Sequence, residues 1–357
     1  MLVQHFDKLK VPHERARARA FRIWREWCFV RTVLDHMKWR MLILATVLLI
    51  GGFLFQTYEP EKQHSLFRAT YYTWSLIFGE PPEAFPDATV LRILFFLVPV
   101  LGLTVIIEGM VDFAFLIRDR RRCERSWCLT MTSRMSNHIV LVGFGRLGYR
   151  TFRLLRRLGE QVVVIEKNES NRFLEELRRD GSPLIVGDAR DDAVLQQANV
   201  CKARSVIVAT NDDLANLEFA LDARRLQPDI HVILRMFDQN MADKIKEGFG
   251  IHLAMSQSSM AAPAFCMSAI DPRIINSFVV DDTLIVMHEW VVRETGPLAN
   301  KTIAEVTSRF ACGVIRHQRG DTPATMYPHG DHKLIPGDHV ILQGPLETFD
   351  SLRENLS

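Results

Sequence analysis

The residue types best suited to chemistry lie around the middle of the 357-residue chain. His138-Ile-Val-Leu-Val runs into Gly143-Phe144-Gly145-Arg146-Leu147-Gly148, three glycines spaced GxGxxG directly after an apolar run. Glycines in that position let backbone N–H groups approach a pyrophosphate at a helix N-terminus. Eighteen residues past Gly148, the run Gln161-Val-Val-Val-Ile ends on Glu166, followed by Lys167. A carboxylate there suits the hydroxyls of a ribose and disfavours a 2′-phosphate, so NAD(H) or an adenine nucleotide is expected rather than NADP. Gly187-Asp188-Ala189 and Thr210-Asn211 close two further apolar runs and are placed beside the same nucleotide. A domain of this kind that has lost its ligand fits the same residues.

A second group of candidates lies in the first third. Gly79-Glu80-Pro-Pro-Glu83 follows a short apolar and aromatic segment, and Glu108 and Asp112 stand four apart, on one face of a long apolar stretch. Repeated around an axis, Glu80 and Glu83 would make acidic rings favouring cations, divalent ones included. A solvated outer vestibule accounts for them equally. Glu108 and Asp112 read as lining a water-filled cavity near an inner mouth, because facing lipid is costly. The competing reading puts them just below a bilayer, on a solvated helical extension.

These acids need elements to carry them. Met41 to Tyr58 is an uncharged 18-residue run, about 27 Å as a helix. Ala88 to Ile117 is longer and crosses with tilt. Ten Lys/Arg against four acids occupy residues 1–40, and Arg118-Asp-Arg-Arg-Arg122 follows the second run. The segment between the runs holds five acids and two bases. Both termini are therefore expected in the cytoplasm, with the chain crossing the plasma (inner) membrane twice. Ser65 to Phe78 is too short to span and ends where Gly79 and the two prolines stop a helix. It reads as a re-entrant pore helix, or else as a helix lying on the outer surface. Beyond Asn137, strands alternate with charged helices, which implies a parallel sheet whose carboxyl ends carry the site.

The net charge of +2 gives no general reason to expect nucleic acid, and six cysteines without a CxxC pair indicate neither zinc nor disulfides. His329 and His332 form an HxxH on a Gly/Asp loop that is not read as a metal site. No Tyr-x-x-x-Lys pair or other hydride-transfer constellation follows the glycines, so no catalytic residue is assigned.

The order of outer helix, pore helix bearing Tyr72 and Trp74, filter turn and inner helix resembles the two-span potassium-channel pore, although Ile77-Phe-Gly-Glu-Pro-Pro-Glu83 replaces its TVGYG filter. GFGRLG, Glu166, GDAR and ATNDD in this order resemble the regulator-of-K+-conductance (RCK) domain. Gly296-Pro-Leu, Thr302-Ile-Ala-Glu305 and Leu334-Ile-Pro-Gly-Asp338 resemble the small lobe that follows it. The expected fold is two transmembrane helices with a re-entrant pore helix, a Rossmann-like α/β domain and a small α+β lobe. The expected divisions are 1–39, a basic segment; 40–117, the pore domain (spans about 40–58 and 88–117, loop about 65–87); 118–136, a linker; 137–270, the nucleotide-binding domain; and 277–357, the lobe. The resemblance implies a ligand-gated cation channel, assembled as a homotetramer in a lipid bilayer and controlled by a nucleotide. A membrane-anchored NAD-dependent oxidoreductase and a non-conducting sensor are the alternatives.

Overall fold

The computed structural model describes residues 14–58, 65–80, 86, 88–118 and 124–354. The chain divides into two compact units, Met1–Val232 and Ile233–Ser357.

The first unit begins with three apolar helices, α1 (Glu14–Tyr58), α2 (Leu66–Ile77) and α3 (Thr89–Arg118). Where the sequence predicts a span starting near residue 40, the helix continues back through the basic segment to Glu14. No Gly or Pro interrupts it before Gly51, and Arg, Ala and Leu, all strong helix formers, are frequent along it. Met37–Tyr58 and Thr89–Ala114 are long and apolar enough to cross a membrane, with mean hydropathy 1.9 and 2.7. Only 17% and 22% of their most apolar windows are buried, whereas the core helix of a soluble protein would be mostly covered.

The short helix α2 packs between these two. Phe55 of α1, Tyr72 and Leu76 of α2, and Leu91, Leu94 and Val98 of α3 form one apolar cluster. The approach to α1 is close because Gly51 and Gly52 face it. A Cβ on Gly51 would stand 2.4 Å from Thr73 Cγ2, and one on Gly52 would stand 2.6 Å from Thr70 Oγ1. Small residues at such contacts let helix backbones approach within a membrane. Ser65 caps the start of α2 by accepting from the Arg68 N–H at 3.4 Å. The helix ends in a left-handed turn at Gly79 (φ +72°). There the Gly79 and Glu80 N–H groups donate to the Leu76 and Ser75 carbonyls at 3.0 and 3.2 Å, a Schellman closure.

After α4 (Glu124–Thr132), the unit becomes a parallel α/β layer. Its elements are β1 (Ile139–Val142), α5 (Arg146–Arg157), β2 (Val162–Glu166), α6 (Leu174–Asp180), β3 (Leu184–Val186), α7 (Asp192–Gln197), β4 (Ser205–Val208) and α8 (Asp213–Leu226). β2 pairs with β3, and β1 lies between β2 and β4, all parallel. The chain therefore steps outward through β2 and β3, then returns to the other side of β1. That reversal leaves a crevice at the carboxyl ends of β1 and β4, where open α/β sheets bind ligands.

In the second unit β5 (His231–Met236), within which the division falls, pairs in parallel with β6 (Leu253–Ser256). Helices α9 (Gln239–Phe249) and α10 (Gln257–Ile270) flank β6 in sequence. An antiparallel sheet follows, built from β7 (Ile274–Val280), β8 (Thr283–Val291), β9 (Gly313–Arg319), β10 (Thr325–Met326) and β11 (Asp338–Pro345), in the order β10-β9-β11-β8-β7. Helices α11 (Ile303–Phe310) and α12 (Leu346–Glu354) complete its core with Val306, Phe310 and Phe349. Thr302 and Glu305 form a reciprocal capping box at the start of α11. The fold class is thus the one the sequence predicts: apolar helices, a Rossmann-like parallel layer and a small lobe.

A buried carboxylate ties β11 to β9. Asp338, 1% exposed, accepts from Arg319 Nε and Nη2 and from His317 Nε2, each at 2.9 Å, and from the Ile335 N–H at 3.0 Å. Burial pushes this carboxyl up, but Arg319, the Ile335 N–H and His317 together hold it below the usual carboxylate range. A depressed folded pKa adds stability above the unfolded value of about 3.9, and that stability is lost as pH falls below it. The lobe should therefore lose thermal stability on acidification below about pH 4. Asp338→Asn should lower stability near neutral pH by about 2 kcal/mol and flatten the acid dependence. Calorimetric scans of both proteins near neutral pH and in acid check this.

Candidate functional site

The three glycines of the β1–α5 turn differ in what surrounds them. A Cβ on Gly148 would lie 2.0 Å from the Gly143 carbonyl oxygen. One on Gly143, whose φ is +83°, would meet Thr210 Cγ2 at 2.9 Å. The fold itself therefore requires glycine at both positions. Nothing lies within 4 Å of a Cβ placed on Gly145. Gly145 is also the N-cap of α5, and no side chain caps the helix there. The turn thus keeps its middle glycine open at an uncapped helix N-terminus, where backbone N–H groups favour an anion.

Glu166 braces this turn from β2. Its Oε2 accepts from the Phe144 N–H at 2.8 Å and from Asn171 Nδ2 at 3.0 Å, and its Oε1 accepts from the Asn168 N–H at 2.9 Å. Asn171 Nδ2 also donates to the Phe144 carbonyl at 3.0 Å. The sequence assigns Glu166 to a ribose. In the structure its oxygens serve the chain first, leaving one of about four acceptor positions on a carboxylate.

Asp188 gathers the cations. Lys167 Nζ reaches it at 2.9 Å, Arg190 Nη2 at 2.7 Å, and Arg190 Nε and N–H at 3.1 Å each. Arg190 and then Lys167 hold the Asp188 carboxyl well below the usual range, and Asp188 raises the Arg190 guanidinium in return. On the far side, the Thr210 hydroxyl hydrogen-bonds Oδ1 of the fully buried Asn216, and Asn216 Nδ2 donates to the Thr210 carbonyl at 3.3 Å.

Gly143, Glu166, Lys167, Asp188, Arg190 and Thr210 line one cavity of about 170 Å³, joined by Gly187 and Ala189. Phe144 is buried beneath the turn, Arg146 and Leu147 lie on the first turn of α5, and Asn211 is exposed. Arg190, Asn171 and Asn216 belong to the site but carry no spacing signal of their own in the sequence. Only Arg190, as the last residue of GDAR, stands inside a recognisable motif.

Of the acids assigned to the pore, Glu80 is exposed beside the left-handed Gly79, and Glu83 lies outside the described residues. Glu108 is exposed on α3. Asp112 forms an ion pair with Arg40 of α1. Of the two acids read as lining a cavity, Asp112 is thus compensated by Arg40.

Residues 139–257 match the TrkA-N domain and residues 287–357 the TrkA-C domain. "Potassium channel protein 1" of Methanocaldococcus jannaschii is 24% identical over 329 residues, covering 89% of this chain and 97% of that protein. An uncharacterized protein of Methanothermus fervidus is 31% identical over 141 residues, 39% of this chain, and the chain spans only 22% of its length. The solved structure "GsuK channel bound to NAD" superposes with a TM-score of 0.53 at 17% identity, over 91% of this chain and 60% of that one. That likeness extends the shared fold over the apolar helices as well as the α/β layer. The chain carries a TrkA-N and a TrkA-C domain, the RCK pair, behind two helices able to cross a membrane, and its relatives include potassium channel proteins.

Proposed function

We propose that the protein is a subunit of a nucleotide-regulated cation channel, with NAD(H) or an adenine nucleotide held over the β1–α5 turn. The observation that carries this reading is Gly145, left open by every neighbour at an uncapped helix N-terminus. Lys167 and Arg190 line the cavity of the same turn, both held there by Asp188. The GsuK channel, solved bound to NAD, supports the choice of ligand. In this reading the pyrophosphate meets the backbone N–H groups of residues 145–148. The last acceptor position of Glu166 serves the ribose. The basic clusters at both cytoplasmic ends orient the spans, and four copies enclose the pore, since one pair of spans cannot.

Selectivity follows from the loop. Without TVGYG, no row of carbonyls that would discriminate potassium from sodium in the usual way can be assigned from the sequence. Glu80 and Glu83, repeated fourfold, concentrate cations at the outer mouth. The expected result in liposomes is a cation flux that changes on adding NAD, NADH or ADP, with reversal potentials showing poor preference for potassium over sodium. Glu80→Gln and Glu83→Gln should each reduce that flux severalfold. A strongly potassium-selective current indifferent to both substitutions would place the filter elsewhere. Flux that ignores all three nucleotides would remove the regulatory reading, and steady NADH oxidation by the purified protein would favour an oxidoreductase.

A further inference from the structure

The first helix does not end at the membrane. Its cytoplasmic part reaches the nucleotide-binding layer, where Arg25 Nη1 donates to the Asp180 carbonyl at 2.9 Å, at the C-terminal end of α6. The fit is tight, for a Cβ on Gly181 (φ +75°) would stand 2.2 Å from that same Nη1. Farther along, Cys28 packs on Met131 of α4, and Phe29 meets the edge of Trp127 with ring centroids 6.1 Å apart. Thr32 Oγ1 lies 3.3 Å from Thr130 Oγ1. Residues 25, 28, 29, 32 and 33 make one face of a helix, and all are covered or partly covered.

α4 is itself fastened to the nucleotide layer. Arg178 Nε donates to Glu124 Oε1 at 2.8 Å, and the Leu184 N–H donates to Cys128 Sγ at 3.3 Å. The other end of α6 leads to the glycine turn. Asn171, which holds both Glu166 and the Phe144 carbonyl, stands three residues before α6 begins. In the opposite direction, α1 runs from Arg25 to Gly51 with no Gly or Pro between, about 39 Å of continuous helix. Gly51 and Gly52 then lie against Thr73 and Thr70 of α2.

We propose that α1 is a second mechanical route from the nucleotide turn to the pore helix, parallel to the connection through α3, with Arg25 as its positioning residue. This rests on the channel reading above. A nucleotide at the turn alters the grip of Asn171 and Glu166, which moves α6. Arg25 passes that movement to a helix without a hinge, and the Gly51–Gly52 contact delivers it to α2. The nucleotide biases the pore by its differential affinity for the two positions of α6.

The test uses the full chain in liposomes for flux and in lipid nanodiscs for NAD binding. Arg25→Gln removes the charge and the forked donor while keeping a long polar side chain, and Arg25→Lys keeps the charge. Arg25→Gln is expected to shrink the ratio of flux with and without saturating NAD by about fivefold or more, within the usual range of coupling between sites. The NAD dissociation constant should change far less, and Arg25→Lys should restore part of the ratio. Oxidising Thr32→Cys with Thr130→Cys in the Arg25→Gln background should recover it, and reductant should abolish the recovery. An Arg25→Gln channel with the full wild-type ratio overturns the route while leaving the channel reading intact. Loss of NAD binding in step with the ratio also overturns it, because Arg25 would then only maintain the fold. A wild-type channel indifferent to NAD removes the parent reading, and this route with it.

Discussion

Gly145→Asp is expected to abolish nucleotide binding in a protein that still folds. The open space at residue 145 means the new side chain meets no neighbour in the fold, so assembly and thermal stability should stay close to wild type. Its carboxylate would instead occupy the N-terminus of α5, where the proposed pyrophosphate would lie, adding bulk and like charge at the point of closest approach. A loss of at least 100-fold in affinity is expected, about 2.7 kcal/mol. Gly148→Ala is the contrasting case. Its Cβ would fall 2.0 Å from the Gly143 oxygen, so the turn must open, and stability and binding should fail together. Calorimetric titration with NAD and ADP, beside thermal unfolding of each variant, reads both effects. Undiminished binding in a folded Gly145→Asp protein would remove the site from this turn.

The second large effect is expected in the membrane. Gly51→Val should silence the pore while leaving nucleotide binding unchanged. The first carbon added at Gly51 already lies 2.4 Å from Thr73 Cγ2 and 2.6 Å from its Oγ1, and Thr73 is fully buried. The short helix that ends at the Schellman turn must then shift, carrying Gly79 and Glu80 with it. A drop in flux of two orders of magnitude or more is expected. The milder Gly51→Ala should be partly rescued by Thr73→Ala, which removes both clashing atoms. Flux assays and gel filtration in detergent separate a silent pore from a failed assembly. Normal flux in Gly51→Val would mean that α2 does not set the pore.

The α/β layer was legible because its signals are local. Strands such as Val162–Glu166 are short apolar runs that end on polar or glycine positions, and Gly148 is irreplaceable because of the Gly143 carbonyl oxygen in its own turn. The short helix α2 was legible for the same reason, since its aromatic face and its Gly/Pro stop lie within about 20 residues of chain. What escaped depends on the fold bringing distant groups together. Asn171 has no pattern of its own and becomes a bracing residue only because β1 and β2 pair in register. Arg190 stood next to Asp188 in plain view, but its role requires the turn that aims its N–H and guanidinium at one carboxylate. The N-terminal half of α1 was read as a basic segment because arginines dominate it. Its covered face, Cys28, Phe29, Thr32 and Val33, carries too few apolar residues to stand out until α4 lies against it.

The ion pair of Arg40 with Asp112 bears on how the protein responds to voltage. A lone charge moved across the membrane gains about 2.3 kcal/mol per 100 mV, which is how charged helices sense a potential. A guanidinium and a carboxylate that move together carry no net charge, so the field does almost no work on them. Joining the two spans through this pair fixes their relation without making it a voltmeter. Any sensitivity of these helices to voltage has to come from their other charges, Arg92 and Glu108 among them.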